Sequence, residues 1–453
     1  MSGQVGLPYA EAGVPLISSS LDLFSDPLLS TGVEKTYYEE IFPNSPLSST
    51  SSSIQFTYPG DQCYLDLIES MITVSIKITK GDGTDLDAFT ATSSVGTINL
   101  PLVSLFKDLQ VKVNDINISS NMNTYAFAGY LQMIFNYGSD YSETVAGNFA
   151  YYRESKPGTN DAFAGVSGFR QRAGRTKLSR TMRLIGPIFG HYFFTINRYF
   201  LNMCKLELTF FKNDNEFVLL TNDVGTAEAP ITYKYEITDM RLLLKKVQLY
   251  QSTLLTLENK LATSLMKYPV NHFYVKDLSL GAGARYEMFS NVFSTQFLPK
   301  RVILCLQTQS SFLGDYNTSA YTFKNYNLQQ ASFHSDGKTY PSVPFNLDFS
   351  EGKKQDYTNG YISLFKNGGL RTDAGPCVIQ LENYADYYFF LAFYFGEESN
   401  YGDHFTEKSI GNVNLSLTFG ANSNPALKVL LWVETQEVLS IDQLRNIKRE
   451  FQL

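Results

Sequence analysis

The sequence predicts an all-β protein made of two similar domains in tandem, and three observations support this prediction. The first is an internal repeat: the pattern of residues 204–210 reappears at residues 413–419, half a chain later. A second β-rich run follows each copy, at 233–237 and at 429–433. A repeat unit of this length does not indicate a solenoid and points instead to two related domains.

Composition is the second observation. The chain has 453 residues, which is long enough for two domains with full cores, and it contains 30 Tyr and 34 Phe. Both residue types suit the half-buried face of a strand. Only 18% of the residues are charged, which is below the share usual in soluble domains. This low charge indicates either surfaces buried against partners or one large β-protein with big cores.

The third observation is the alternation of apolar and polar residues that predicts half-buried strands. Clear runs in the first half of the chain are 54–58, 72–78, 109–113 and the stretch from 191 to about 250. Further runs in the second half are 273–276, 301–306 and 387–394. Long strands with irregular connections are typical of β-sandwiches rather than of alternating βα units.

One helix is predicted within the first half, at residues 124–137. Four apolar side chains share one face of this helix, and Gly138 is placed to end it. These side chains are Tyr125, Ala128, Leu131 and Phe135. The following stretch, 138–184, is polar and Gly-rich, which predicts a long connection that is functional or protruding.

A second helix, at residues 253–267, is predicted between the two halves. Leucines recur there at helical spacing, Ser252 is placed to cap the helix, and Tyr268-Pro269 is placed to stop it. The predicted organisation is an N-terminal arm (1–50), a first β-domain (51–250), a second β-domain (251–437) and a C-terminal tail (438–453).

The arm and the tail each carry a small apolar group. The arm is rich in Ser, Pro and Gly, and its apolar cluster at 21–24 is expected to pack on its own domain or on a neighbour. In the tail, Ile441, Leu444, Ile447 and Phe451 form a stripe that predicts a short amphipathic helix. Such a helix is marginal alone, so we expect it to dock on its own domain or on a neighbouring subunit.

Signatures of catalysis, cofactors and metals are missing from the sequence. It has no HExxH, Walker, GxSxG or zinc-type spacing, and Gly281-Ala282-Gly283 predicts a tight hairpin turn rather than a dinucleotide loop.

The four histidines (His191, His272, His334, His404) lie far apart and are expected to be structural. The four cysteines (Cys63, Cys204, Cys305, Cys377) show no CxxC pattern and are expected to be buried, reduced thiols. We therefore predict no catalytic, cofactor-binding or metal-binding residue and no enzymatic activity.

Targeting signals are also absent from the sequence as given. The first thirty residues lack a basic n-region and an apolar h-region, and no apolar run approaches the length of a membrane span. The chain is therefore expected to fold in the cytosol or the nucleus.

A basic cluster lies between residues 170 and 183, with no acidic residue among its members. Its members are Arg170, Arg172, Arg175, Lys177, Arg180 and Arg183. The cluster could contact nucleic acid or an acidic partner, or it could be a solvated loop or pair with acids of the same fold. We favour the second interpretation, because aromatic residues are not interleaved for base stacking and the net charge of the chain is −7. The sequence gives no evident specific nucleic-acid site.

Short blocks along the chain resemble one protein family. They include Leu-Asp-Leu-Phe at 21–24, Leu-Ile-Gly-Pro at 184–187, Leu-Pro-Lys-Arg-Val at 298–302 and Tyr-Thr-Phe-Lys-Asn-Tyr at 321–326. Further blocks are 54–56, 64–67, 104–106, 111–114, 123–125, 130–131, 206–208, 237–247, 267–270, 336–337 and 411–413. In order and spacing the chain resembles the double jelly-roll major capsid proteins of Polinton (Maverick) elements and adintoviruses, over roughly residues 20–445. The stretch 138–184 has no counterpart in this resemblance.

The resemblance implies two tandem eight-stranded jelly rolls with short helices in the connecting loops. It implies hexon-like, pseudo-hexagonal homotrimers that tile an icosahedral viral shell enclosing double-stranded DNA, with penton or other minor capsid proteins as partners. The location would be the virion capsid, after synthesis in the host cytoplasm and assembly in the cytoplasm or nucleus. The arm and tail would be candidates for contacts on the inner face or with neighbours. The stretch 138–184 and the region from the 310s to the 350s would be candidates for outward towers or intersubunit clasps.

Two other interpretations stay open on the sequence. A carbohydrate-binding or glycosidase-type β-sandwich would require a cleft with paired carboxylates on facing strands, and no such pair can be selected. A minor capsid or penton-type protein usually needs one jelly roll, so the half-chain repeat speaks against it.

Overall fold

The computed structural model describes residues 32–87, 94–119, 123–154, 156–157, 167–221, 223, 231–293, 298–350, 356–370, 377–396, 411–420 and 424–450. The predicted apolar cluster at 21–24, Phe451 and His404 lie outside these residues.

The first half of the chain forms a two-sheet sandwich of antiparallel strands. Its described strands are β1 (Val33–Ile41), β2 (Ser53–Tyr58), β3 (Tyr64–Lys80), β4 (Val95–Thr97), β5 (Phe106–Val113), β6 (Ile116–Asn117), β7 (Met182–Pro187), β8 (Leu206–Lys212), β9 (Leu219–Thr221) and β10 (Tyr233–Leu249). One sheet has the order β1-β10-β3-β7, the other has the order β2-β8-β5-β6, and β4 pairs with β9 in a small separate ribbon.

The second half repeats this architecture. Its described strands are β11 (Met266–Leu280), β12 (Tyr286–Phe289), β13 (Arg301–Thr308), β14 (Leu328–Ser335), β15 (Lys338–Asn346), β16 (Phe390–Tyr394), β17 (Asn414–Phe419), β18 (Leu427–Ile441) and β19 (Ile447–Glu450). The sheets have the orders β11-β18-β13-β16 and β12-β17-β14-β15, and β19 adds to β18.

The two sandwiches have the same topology. When the strands of the two four-stranded sheets are counted along each half, both halves have one sheet in the order 1-8-3-6 and one in the order 2-7-4-5. The repeat seen in the sequence falls on β8 and β17, which are the seventh strand of each set. In both strands alternate side chains are buried, so the shared pattern reflects the same half-buried position in the two sandwiches.

Short helices connect the strands. They are α1 (Pro101–Ser104), α2 (Tyr125–Asn136), α3 (Ser139–Glu143), α4 (Gly168–Thr176), α5 (Asn215–Val218), α6 (Gln251–Leu261), α7 (Gln309–Leu313), α8 (Thr358–Lys366) and α9 (Leu381–Tyr387). The predicted helix at 124–137 is confirmed as α2, although Gly138 is not left-handed and instead precedes α3. The described part of the stretch 138–184 contains α3 and α4, so it is a partly helical insertion rather than a plain loop.

Helix α6 follows β10 at the predicted boundary between the halves, but it is shorter than expected. It ends at Leu261, and its N-cap position is Tyr250 rather than Ser252. Tyr268 and Pro269 belong to β11, which pairs with β18 alone. Proline is tolerated in such an edge strand because no partner requires its missing N–H on the outer side.

The predicted limits of the arm and the tail differ from the structure. Residues 33–41, assigned to the arm, form β1 and pair along β10. The predicted tail helix is wrong: β18 continues to Ile441, and residues 447–450 return along it as β19. The Asp442 carboxylate accepts from the backbone N–H of Asn446 at 2.9 Å and closes the turn. Pairing with β18 satisfies backbone groups that so short a helix would leave at its ends.

Candidate functional site

The two sandwiches meet along a seam that is built around α2. Every residue of this helix from Tyr125 to Phe135 is buried, which is expected of a helix that is apolar on all sides. Its rings pack against the second sandwich: Phe127 stacks on Phe312 at 5.4 Å between centroids, and Phe135 meets Phe390 edge-on at 5.6 Å. The seam is therefore a continuous apolar core and not a hinge.

Hydrogen bonds to backbone carbonyls cross the same seam. The Thr124 hydroxyl donates to the Val275 carbonyl at 2.7 Å, and the Tyr388 hydroxyl donates to the Glu154 carbonyl at 2.6 Å. Each bond satisfies a buried polar group, and each would leave an unpaired group if the sandwiches separated.

A polar cluster lies beside α2 where the first sandwich meets β11, β18 and β19. Glu437, 2% exposed, lies 3.2 Å from His272 Nδ1 and accepts from Arg449 Nη2 at 2.8 Å. Burial raises the pKa of Glu437, but the hydrogen bond from His272 and the charges of His272 and Arg449 outweigh burial and hold this pKa at about 2. The carboxylate is therefore ionised at neutral pH and charge-compensated.

His191 also borders this cluster and is separated from His272 by the ring of Tyr192. Its Nδ1 accepts from the Phe193 N–H at 3.2 Å and its Nε2 lies 3.0 Å from the Ser119 hydroxyl, so the neutral ring carries its proton on Nε2. Complete burial lowers the pKa of His191 to about 3, with smaller contributions from His272 and Arg449. Sequence reasoning treated His191 and His272 as unrelated, yet Tyr192 packs between them, with ring centroids 5.0 and 4.4 Å away.

A cleft of about 530 Å³ opens at the seam, in the size range of ligand pockets. Val270, Phe273 and Trp432 contribute apolar surface. Polar lining comes from Asn136, Thr195, Asn197, Arg198, Asn271, Lys300, Arg301, Glu434 and Gln436. Glu434 is the one carboxylate among these lining residues, and it is paired with Arg301. The cleft therefore lacks the two carboxylates that a glycosidase-type site needs.

The structure places the members of the basic cluster in different environments, some paired within the fold and others exposed. Arg172 is buried and donates to Glu154 Oε1 and to the Thr97 carbonyl, both at 2.8 Å. Arg175 donates to the Gly147 and Arg183 carbonyls. These two members pair within the fold, as the favoured interpretation expects, while Lys177, Arg180 and Arg183 are exposed.

The remaining candidates from the sequence show no shared site. The four cysteines are free; Cys204 and Cys305 are buried, whereas Cys63 and Cys377 are half-buried. Gly283 lies in a turn with φ of +74°, but this turn joins β11 to β12, which belong to different sheets, so it is not a hairpin. Among the described residues no group of three His, Cys, Asp or Glu side chains is arranged to hold a metal ion. Within the same ranges no helix is long and apolar enough to span a membrane.

An aromatic edge is exposed on the first sandwich. Strand β1 is the outermost strand of its sheet, and Tyr38 and Phe42 are 46% and 60% exposed. An outer strand with exposed rings offers both unpaired backbone groups and apolar area to a neighbour. Residues 33–41 show no alternation of apolar and polar side chains, and the prediction placed them in the arm.

Comparisons with known proteins extend the structural result, although no family model matches the chain. In sequence, the chain is 22% identical over 399 residues to the uncharacterized protein F54H12.2 of Caenorhabditis elegans, covering 85% of this chain and 90% of that protein. In structure, it is similar to a chain of the Sputnik virophage, with a TM-score of 0.64, 13% identity and coverage of 97% of this chain and 93% of that one. It is also similar to the Faustovirus major capsid protein (TM-score 0.58, 11% identity, coverage 94% and 92%). A third similar structure is the mavirus major capsid protein (TM-score 0.53, 9% identity, coverage 100% and 96%).

The fold is the double jelly roll. The match runs over nearly the whole of each chain, so it includes both jelly rolls and their arrangement across the seam. The predicted fold class, two tandem eight-stranded jelly rolls with short connecting helices, is confirmed. Two of the solved structures named above that share this arrangement are viral major capsid proteins.

Proposed function

We propose that this chain is a major capsid protein, the structural subunit of pseudo-hexagonal homotrimers that tile an icosahedral shell around double-stranded DNA. The observation that carries the proposal is the pair of jelly rolls with identical strand order, fixed side by side by a buried helix, over the full length shared with viral capsid proteins. Function in such a subunit is geometry and association energy, so no catalytic residue, cofactor or metal is required.

The surface of the first jelly roll supports self-association. Tyr38 on the outer strand β1 and Phe42, which directly follows this strand, expose apolar area, and the chain is poor in charge overall. Obligate interfaces are large and apolar and are enriched in aromatic side chains. We propose β1 as part of the contact between subunits, and penton or other minor capsid proteins as further partners.

A finer assignment is to Polinton (Maverick) elements or adintoviruses. The blocks of sequence along the chain favour it, and the similarity to a protein of a nematode is consistent with an element carried in an animal genome. Under this proposal the protein is located in the virion capsid, after synthesis in the cytoplasm and assembly in the cytoplasm or nucleus. We place the division between the two jelly rolls at residues 250 and 251, where α6 follows β10.

Size-exclusion chromatography with light scattering, followed by negative-stain imaging of the same peak, tests the proposal. We expect a particle of three chain masses with a hexagonal outline, or closed shells. A monomer at every concentration would contradict the proposal, and glycan screening would then test the carbohydrate-binding alternative.

A further inference from the structure

We propose that the cleft at the seam between the two jelly rolls binds residues 21–26 of the same chain, the segment Leu-Asp-Leu-Phe-Ser-Asp. This segment lies outside the described residues, and the cleft lining and the composition of the segment support the proposal. The inference does not depend on the proposed function, because a monomeric chain tests it equally well.

The charge of the cleft suits an acidic segment. Arg198, Lys300 and Arg301 carry three positive charges and Glu434 carries one negative charge, so the lining has a net charge of +2. Glu434 already neutralises Arg301. Among the described residues, Arg198 donates to the Lys267 carbonyl and Lys300 has no ion-pair partner, so two cations remain without a carboxylate. Carboxylates held against these cations would form charge-assisted hydrogen bonds.

The segment supplies the complementary charge. Residues 1–31 contain Glu11, Asp22 and Asp26 and no Lys, Arg or His. Asp22 lies within the apolar cluster at 21–24 and Asp26 follows it, so one short stretch has both carboxylates and large apolar side chains.

The remaining lining suits the backbone and the apolar side chains of an extended peptide. Val270, Phe273 and Trp432 form the apolar part of the lining, and each is at most 6% exposed. The amides of Asn136, Asn197 and Asn271 can donate to and accept from peptide groups. A cleft with only polar lining would suit a small ion, whereas this mixture suits a peptide.

The first described residue lies at the end of the molecule where the cleft opens. The Gly32 carbonyl accepts from the Tyr250 N–H, so the described chain begins beside the start of α6. Helix α6 leads into β11, whose early residues Pro269, Val270 and Asn271 line the cleft. Gly32 follows Phe24 by eight positions, so the chain from one to the other spans up to about 27 Å when extended. Gly32 and the cleft therefore lie at the same end of the molecule. For this reason we assign the cleft to the segment of the same chain rather than to that of a neighbouring copy.

Carbodiimide cross-linking of the full-length wild-type chain tests the proposal directly. The reagent joins a carboxylate to a lysine amine that is in salt-bridge contact, forming an amide while the reagent takes up the lost oxygen as a urea. We expect peptide mass spectrometry to find Lys300 linked to Asp22 or Asp26. Lys338, exposed on the other sheet of the second jelly roll, is the reactivity control. Absence of a Lys300 link, or equal linking of Lys338, would overturn the proposal.

A mixture of light and heavy isotope-labelled chains, assembled together, identifies the source of the segment. Links confined to light–light and heavy–heavy pairs support docking within one chain. A Lys300 link that joins light to heavy peptides would overturn the assignment, because the segment would then come from a neighbouring copy.

A second measurement avoids dependence on the lysine. Chymotrypsin cleaves after Leu23 and Phe24, and docking protects both bonds. The double variant D22N/D26N changes no residue of either jelly roll. In this variant we expect cleavage after Leu23 and Phe24 to be about tenfold faster, because losing roughly one strong contact weakens docking by about that factor. Equal cleavage rates in the wild type and this variant would contradict docking.

Discussion

The rings of Tyr130 and Tyr321 stack face to face, 3.9 Å between centroids and within 2° of parallel, and so join the two jelly rolls at the centre of the seam. Tyr130 comes from α2 of the first half, and Tyr321 lies in the second half between α7 and β14. Both side chains are buried, and the Tyr321 hydroxyl donates to the Ala126 carbonyl at 3.2 Å.

Replacing Tyr321 with alanine should therefore destabilise the whole chain. We expect a loss of about 3–5 kcal/mol, because a large ring leaves a cavity between two rigid layers. Tyr321→Phe keeps the ring and loses one hydrogen bond, so a loss of about 1 kcal/mol is expected. The measurement is the thermal melting temperature, with Tyr286→Ala, at a side chain that is 60% exposed, as the control. Equal effects of Tyr321→Ala and Tyr286→Ala would show that the seam does not stabilise the fold.

The buried pair of Arg172 and Glu154 should show strong coupling. The side chains are 2% and 9% exposed, so removing one partner leaves an uncompensated buried charge. We expect Arg172→Met alone to cost about 3–5 kcal/mol and the double variant R172M/E154M to recover much of this loss. A double-mutant cycle from urea unfolding measures the coupling. Additive losses would mean that the pair is not an energetic unit.

Acid should destabilise the seam through His191. Its pKa is about 3 in the folded chain and about 6.5 when unfolded, so the unfolded chain binds more protons between these values. This contribution to stability is present above pH 6.5 and is lost as the pH falls toward 3, at about 1.4 kcal/mol per pH unit in mid-range. His191→Asn, which keeps an acceptor near Phe193, should flatten the dependence between pH 4 and 6.

The acid dependence that remains below pH 4.5 in His191→Asn should come partly from Glu437, whose folded pKa is about 2. Urea unfolding at a series of pH values measures both contributions. An unchanged slope between pH 4 and 6 in His191→Asn would contradict the assigned role of the buried ring.

The outer face of β1 should control association. Tyr38 and Phe42 expose apolar area, and added acids would repel in a chain of net charge −7. We expect the variant Y38E/F42E to shift the light-scattering mass from three chains to one with an unchanged circular dichroism spectrum. The matched control Y38F/F42Y keeps the aromatic surface and should remain trimeric. A trimer that survives in Y38E/F42E would place the subunit interface elsewhere.

Local periodicity predicted those parts of the fold in which one face of an element is buried. The strands at 54–58 and 204–210 alternate because one side of each faces a core, and that pattern is visible without any partner. The tail shows the opposite case. Ile441, Leu444 and Ile447 have helical spacing, yet Leu444 is 82% exposed in the turn that joins β18 to β19. For so few residues, pairing with the preceding strand β18 outweighs the helical spacing of the apolar side chains.

The seam was the part that sequence reasoning missed. Residues 434–437 read Glu-Thr-Gln-Glu, which is a polar run typical of a surface, but all four are at most 5% exposed. Their burial depends on Arg301, His272 and Arg449, which come from three other strands. One sequence signal for the seam did exist. Helix α2 has no charged residue and only two amide side chains among its twelve residues, so it has no polar face to expose to solvent.

By itself the sequence determined that the chain forms two related β-domains, because alternation and the half-chain repeat are local and report burial on one face. Only the tertiary structure decided which residues join those domains. The stacking of Tyr130 on Tyr321 and the approach of His272 to Glu437 are contacts between segments far apart in sequence. Such contacts depend on loop closure and on the exclusion of water between two preformed layers, and neither leaves a periodic trace in the chain.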